Sequence, residues 1–160
     1  MNARDTAGVI APPPILALVA VGAGFLGDRL APLRVLASLP VAVRLIAGGA
    51  LIVLALALFV SAVGGFRRAG TPLRTHAPST TLVTTGVYAH IRNPIYVAFL
   101  LLLISISITA PSDWLFASAL AFMLVIHVGV VLREERYLET KFGDAYRSYK
   151  ARTPRYGWRF

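Results

Sequence analysis

Two short clusters of ionisable and hydrogen-bonding residues punctuate an otherwise apolar sequence: Arg92-Asn93-Pro94-Ile95-Tyr96 and Arg133-Glu134-Glu135-Arg136. Asn93 before Pro94 marks a helix start, because asparagine caps well and proline at the first helical position gives up no hydrogen bond. The free N–H groups and positive dipole end of that helix, beside Arg92, make a site for a carboxylate or phosphate. The alternative is an interfacial cap with a snorkelling arginine. Two adjacent glutamates where an apolar run ends are costly unless paired, solvated or used, so Glu134 and Glu135 either form salt bridges, with Arg92 or Arg136, or belong to a site. A ligand carrying both a carboxylate and a positive centre satisfies both clusters, with its anion at Arg92 and its cation near Glu134 and the tyrosines.

The elements that must position these clusters follow from charge-free runs. Thr6 to Gly27, Leu45 to Phe66, Asn93 to Ser112 and Trp114 to Leu132 contain no Asp, Glu, Lys or Arg. Each approaches the roughly 20 residues that a helix needs to cross about 30 Å of hydrocarbon. The expectation is an all-α polytopic membrane protein of one domain over residues 1–160. It has four transmembrane helices at about 12–30, 45–66, 94–111 and 114–133, a cytoplasmic cofactor pocket, and amphipathic helices in a cytoplasmic segment, 134–160. Pro12, Pro13 and Pro14 interrupt the first run and leave its helical part from about Ile15 onward; a signal peptide is the competing reading there. The third and fourth spans, joined only by Pro111-Ser112-Asp113, form a tight antiparallel hairpin. Its two arms match in length to about one turn, so Arg92, Asn93 and Tyr96 face Arg133, Glu134 and Glu135 at one membrane boundary.

Composition agrees. The 160 residues are 57% hydrophobic and 14% charged, where soluble domains carry about 25% charge. Mean hydropathy is +0.71. The formal charge of +9 would point to nucleic acid in a soluble protein. Here the basic residues lie between apolar runs, which indicates orientation in a bilayer and attraction to anionic lipid headgroups, with no nucleic-acid partner. Both termini on the cytoplasmic side, in the inner membrane, place 13 Lys and Arg inside against three outside, as the positive-inside rule prefers.

With no cysteine, disulfides, thiolate metal sites and cysteine nucleophiles are excluded. His76 and His90 stand in the long second loop without a partner at metal-ligand spacing, and no metal is expected. His127, inside the fourth span, is either a buried histidine bonded to a neighbouring helix or a proton relay. The absence of GxGxxG, P-loop and Ser/His/Asp patterns leaves dinucleotide-fold and hydrolase readings unsupported. Gly22, Gly24, Gly27, Gly48 and Gly49 read as helix-packing points. The last segment reads as helix, a break at Gly143, a short helix capped by Asp144, and a turn at Pro154. Of ligands with the required pair of charges, S-adenosylmethionine is one.

The run Thr80-Thr81-Leu82-Val83-Thr84-Thr85-Gly86-Val87-Tyr88, continuing through Arg92-Asn93-Pro94-Ile95-Tyr96, resembles the cofactor region of the isoprenylcysteine carboxyl methyltransferases and related phospholipid methyltransferases. Arg133-Glu134-Glu135-Arg136-Tyr137-Leu138, then Phe142-Gly143, Tyr146, Tyr149 and Pro154-Arg155, resembles that family's closing motif. The resemblance covers about Thr71 to Tyr156. It implies an integral membrane enzyme that takes S-adenosylmethionine from the cytoplasmic side and a hydrophobic or lipid-like acceptor from the bilayer. Cofactor contacts then fall on Thr80, Thr81, Leu82, Val83, Tyr88, Asn93, Pro94, Ile95, Tyr96 and Glu134. Arg92 orients the cofactor carboxylate or the acceptor. An amine or hydroxyl acceptor needs a base, for which Glu135 or His90 stands best; a carboxylate or thiolate needs none.

There are departures. Asn93-Pro94 stands where prenylcysteine enzymes have His-Pro, and Thr80 where they have histidine. Val130 stands where an arginine engages the acceptor carboxylate, with Arg133 one turn nearer the interface as its substitute. The rival enzyme class is a nicotinamide-dependent membrane reductase of sterol-reductase type, and the rival of another kind is a non-catalytic membrane module.

Overall fold

Proline, glycine and the apolar runs between them set the elements of the computed structural model, which describes residues 7–71 and 80–157. Pro72, Pro78, His76, Trp158 and Phe160 lie outside the described residues. Among the described residues six α-helices follow in order: α1 Pro13–Leu30, α2 Val41–Arg68, α3 Pro94–Thr109, α4 Asp113–Ile126, α5 Leu132–Phe142 and α6 Asp144–Arg152. Short 3₁₀ turns occupy Leu36–Ser38 and Gly86–Ala89, and one π turn, His127–Val131, joins α4 to α5. No strand occurs among the described residues, so the protein is all-α.

Three helical stretches are long and apolar enough to cross a membrane: Pro13–Leu30, Val41–Arg68 and Asp113–Phe142, the last running through the π turn; α3 is apolar but shorter. The four expected apolar helices are all present, one of them short. The 16 residues of α3 rise about 24 Å, less than the hydrocarbon thickness. The triple proline separates an irregular start from the helical part of the first run, as expected, with the helix beginning two residues before Ile15. α1 begins at Pro13, which puts Pro13 and Pro14 in the first turn, where a missing N–H costs nothing. α2 starts before the expected Leu45 and takes in Arg44, whose Nε donates to the Leu39 carbonyl at 3.2 Å.

The packing divides the chain into two units. One comprises Pro13–Ala57 and Tyr96–Ile126, the other residues up to Pro12, Leu58–Ile95 and those from His127 onward. In the first, α1 packs on α4 through glycine. A Cβ added at Gly24 would sit 2.5 Å from Leu115 Cα, and one at Gly27 would sit 2.6 Å from Trp114 Cγ. Gly48 on α2 meets the Thr109 side chain of α3, and Ser105 Oγ donates to the Gly48 carbonyl at 2.8 Å. Lipid tails are as apolar as the helices, so close backbone approach and interhelical hydrogen bonds carry this packing. Gly22 and Gly49, grouped with the others in the sequence, have nothing within 4 Å of an added Cβ.

The turn between α3 and α4 is fixed by capping. Ser112 Oγ accepts the Leu115 N–H at 2.9 Å, the N-cap bond. The Asp113 carboxylate accepts the N–H groups of Val35 and Leu36, both at 3.0 Å, and Trp114 Nε1 donates to the Ala31 carbonyl at 2.6 Å. The α1–α2 connection is thereby tied to the start of α4.

Gly24→Ala and Gly27→Ala are each expected to destabilise the protein by about 1–3 kcal/mol, the cost of overpacking, whereas Gly22→Ala is expected to be neutral or to stabilise by up to about 1 kcal/mol through helix propensity. Thermal unfolding of the three variants in detergent distinguishes these outcomes.

Candidate functional site

The second unit holds the clusters read from the sequence. Gly70, at φ 61°, ends the turn after α2, and the buried Thr71 follows. Its Oγ1 accepts the Thr80 N–H at 3.1 Å and bonds the Thr80 hydroxyl at 3.0 Å, so the exposed Thr80 and Thr81 re-enter beside the point where α2 stopped. Leu82 and Val83 are half-buried. Gly86 turns the chain at φ 63°, a conformation that glycine adopts without Cβ strain. The following 3₁₀ turn presents Tyr88, only 5% exposed, edge-on to Phe66 with ring centroids 5.4 Å apart.

The segment Ile91 to Asn93, just before α3, is held by the chain that follows α6. Arg92 N–H donates to the Pro154 carbonyl at 3.0 Å and Asn93 N–H to the Arg155 carbonyl at 3.2 Å. The Asn93 Nδ2 donates to the same Arg155 carbonyl at 3.3 Å. Pro94 is buried at the helix start and Ile95 half-buried. Tyr96, also buried, is in the first turn of α3 but belongs to the other unit.

Arg92 reaches Glu135, its Nη2 lying 3.3 Å from Oε1, with the two side chains only 8% and 6% exposed. The matching of hairpin arms predicted that these two residues meet. The sequence did not reveal the second partner, Arg155. Its Nε and Nη2 donate to Glu135 Oε1 and Oε2, both at 2.8 Å, as a fork on the carboxylate. Arg136, the other expected partner, is exposed, and its Nε donates to the Leu132 carbonyl one turn back. Arg133 is exposed too, with Nη1 on the Gly8 carbonyl at 2.8 Å, while Val130 is fully buried.

Three buried polar atoms have no hydrogen-bond partner among the described residues: Arg92 Nε, Arg92 Nη1 and the Tyr88 hydroxyl. Buried donors left without acceptors are rare in native folds and call for a ligand, ion or water. Glu134, half-buried on α5, lies close enough that its charge acts on Tyr88. Arg92, Tyr88 and Glu134 thus offer two unanswered guanidinium N–H directions, a neutral hydroxyl and a carboxylate. Thr80 to Val83 stand on the segment leading in.

Around this cluster α5 and α6 supply tyrosines. Gly143, at φ 53°, breaks the two helices apart. Asp144 is the first residue of α6 and binds Arg147, with Oδ1 2.6 Å from Nη2, instead of capping. α6 buries Tyr146 and Tyr149, and the Tyr149 hydroxyl donates to the Tyr88 carbonyl at 2.7 Å. Burial, chiefly, pushes the Tyr88, Tyr146 and Tyr149 hydroxyls above the usual tyrosine range; the Glu135 charge adds to the shift at Tyr146 and Arg92 opposes it. Tyr156 is pushed up to about 12, again mainly by burial. These phenols are neutral donors at physiological pH.

His127, expected either to bond a neighbouring helix or to relay protons, stands in the π turn, with Nδ1 2.8 Å from the Tyr156 hydroxyl. Its partner belongs to the segment after α6, not to a helix. A π turn frees a carbonyl from the helical ladder, and here the Gly129 carbonyl accepts the Ile10 N–H at 3.2 Å. His90 is exposed.

Tyrosines that titrate higher folded than unfolded keep their protons in the native state while the unfolded chain loses them near pH 10, so stability falls as pH rises above about 10. Chemical unfolding followed from pH 8 to 11 is expected to show this loss. Tyr156→Phe removes part of the slope.

A family model described as phospholipid methyltransferase matches residues 43–145, more than half of the chain. A protein of Haemophilus influenzae named only as uncharacterized is 38% identical over 61 residues, 38% of this chain and 97% of that protein. The protein-S-isoprenylcysteine O-methyltransferase of Schizosaccharomyces pombe is 37% identical over 76 residues, 46% of this chain but only 31% of the yeast enzyme. No solved structure gives a significant match. With the matched segment carrying α2, α3, Arg92, Glu134 and Glu135, the chain belongs to the phospholipid methyltransferase family of membrane proteins.

Proposed function

We propose that this protein is an S-adenosylmethionine-dependent methyltransferase acting on a hydrophobic or lipid-like acceptor at the cytoplasmic face of the membrane. The observation that carries the reading is Arg92: a guanidinium more than nine-tenths buried, with Nε and Nη1 lacking any acceptor among the described residues. A carboxylate fits it, since carboxylate oxygens match the planar fork of arginine. Glu134 and the ring faces of the nearby tyrosines suit the positive end of the same molecule. When bound, S-adenosylmethionine supplies a methyl carbon activated by its sulfonium for in-line displacement.

In this reading Arg92 holds the carboxylate. Glu134, Tyr88 and the stretch Thr80, Thr81, Leu82 and Val83 complete the cofactor contacts, with Asn93, Pro94 and Ile95 forming the helix start beside them. Glu135, with both oxygens on arginines, acts by position and fixes Arg92. Rate then comes from holding the partners in line and keeping water out, for which buried, fixed groups are suited. The apolar surfaces of α1 and α2, where Leu18 is 71% and Ile46 73% exposed, suit contact with acyl chains. With Val130 buried and Arg133 drawn to Gly8, an acceptor lacking a carboxylate is favoured over a prenylcysteine.

Calorimetric titration of detergent-solubilised protein with S-adenosylmethionine tests the pocket. Arg92→Ala and Glu134→Gln are each expected to weaken binding about tenfold or more, as loss of a charge-assisted hydrogen bond does. Unchanged affinity in both eliminates the proposed site. The orientation has its own check. The sequence lacks cysteine, so single substitutions report cleanly: in intact cells a membrane-impermeant maleimide is expected to label Ala37→Cys and to leave Ser148→Cys unlabelled until the membrane is opened.

A further inference from the structure

We propose that Arg155 is a positioning residue of the cofactor site, acting through Glu135 to keep two N–H directions of Arg92 free for the ligand; the proposal rests on the methyltransferase reading above. Glu135 is the only carboxylate that both arginines contact among the described ion pairs. Arg155 takes it as a fork, 2.8 Å to each oxygen, while Arg92 makes a single longer approach of 3.3 Å. The fork is the preferred geometry for a guanidinium on a carboxylate. By occupying it, Arg155 denies it to Arg92, which also hydrogen-bonds Tyr146 and whose Nε and Nη1 have no acceptor among the described residues.

Without Arg155, both oxygens of Glu135 become available to the one guanidinium that remains. Arg92 is then expected to turn into the fork itself and withdraw its free donors from the ligand. The backbone around Arg155 is built to hold its place. Thr153 is buried, its N–H donates to the Tyr149 carbonyl at 3.0 Å, and its hydroxyl approaches the Ala89 carbonyl at 3.4 Å. The carbonyls of Pro154 and Arg155 accept the N–H groups of Arg92 and Asn93, and the Tyr156 hydroxyl meets His127. The segment Thr153 to Tyr156 is thus a strap tied to both neighbours of the pocket. It lies beyond residues 43–145, where the family match ends.

The test is a double-substitution cycle read by S-adenosylmethionine calorimetry. Arg155→Ala, and Arg155→Lys, which keeps the charge but loses the fork, are each expected to weaken binding about tenfold. Adding Glu135→Gln to Arg155→Ala removes the carboxylate that captures Arg92 and is expected to restore affinity to within about threefold of Glu135→Gln alone. A strap that only supports the fold predicts losses that accumulate in the double variant, and that result overturns the proposal. A ligand-free measurement separates this failure from that of the methyltransferase reading. The Arg92 side-chain Nε–H resonance, observed by NMR in detergent micelles, is expected to move in Arg155→Ala and return toward its original position in the double variant. An unmoved resonance overturns the coupling. Failure of the wild-type protein to bind S-adenosylmethionine, with the resonance moving as expected, overturns the function and leaves the arginine competition standing.

Discussion

The carboxylate of Glu135 is all but removed from solvent, and a buried charge is tolerated only where its oxygens are answered by opposite charge and hydrogen bonds. Here the answer comes from Arg92, just before α3, and Arg155, beyond α6. One side chain on α5 therefore draws together stretches 43 and 20 residues away in sequence. Once they are in place, main-chain bonds between residues 92–93 and 154–155 fix the register. Removing Glu135 leaves the buried Arg92 without its carboxylate, a loss of about 3–5 kcal/mol in comparable settings. Such a cluster is weak evidence for net stability and stronger evidence that a particular arrangement of Arg92 is being selected.

The other unit solves a different problem, since helices bathed in lipid gain little by hiding apolar side chains from one another. Contact is won by removing side chains where backbones meet, at Gly24, Gly27 and Gly48, and by giving the Ser and Thr hydroxyls of α3 backbone acceptors. Ser105 bonds the Gly48 carbonyl on α2, Ser107 the Ile104 carbonyl and Thr109 the Ser105 carbonyl. These polar residues therefore leave α3 apolar in its dealings with the surroundings. Asp113 and Trp114, where the run of apolar residues is interrupted, hold the α1–α2 connection instead of ending up as unpaired interfacial charge.

The features legible in the sequence were those with a period or a length. Runs free of charge gave the helices, and equal arms about the Pro111 turn gave the meeting of Arg92 with Glu135, because 1.5 Å per residue converts sequence separation into depth. The features not legible depend on a side chain choosing among partners that composition makes equivalent. Arg92, Arg136 and Arg155 are all arginines within reach of an acidic pair on paper, and only the path of the chain after α6 brings Arg155 in and turns Arg136 out to the Leu132 carbonyl. Asp144 has a residue type that favours capping, yet it stands inside α6 and its carboxylate takes the Arg147 guanidinium three residues on. The π turn at His127–Val131 leaves no periodic trace at all, since it inserts a single extra residue into an apolar run.

The chemistry available to such a site follows from what its groups cannot do. Phenols whose hydroxyls burial pushes above the usual tyrosine range stay neutral at physiological pH, and the Glu135 carboxylate has both oxygens held by guanidiniums. What remains are fixed dipoles and a fixed cation in surroundings of low polarity, where they act without first reorganising solvent. That suits a reaction whose electrophile arrives already activated and whose barrier lies mostly in alignment. It also explains why so many bonds converge on the main chain of residues 88–93. Tyr149 holds the carbonyl of Tyr88, Thr153 approaches that of Ala89, and the strap takes the N–H groups of Arg92 and Asn93. A guanidinium that must present two particular N–H directions needs its backbone fixed before its side-chain partners can select a rotamer.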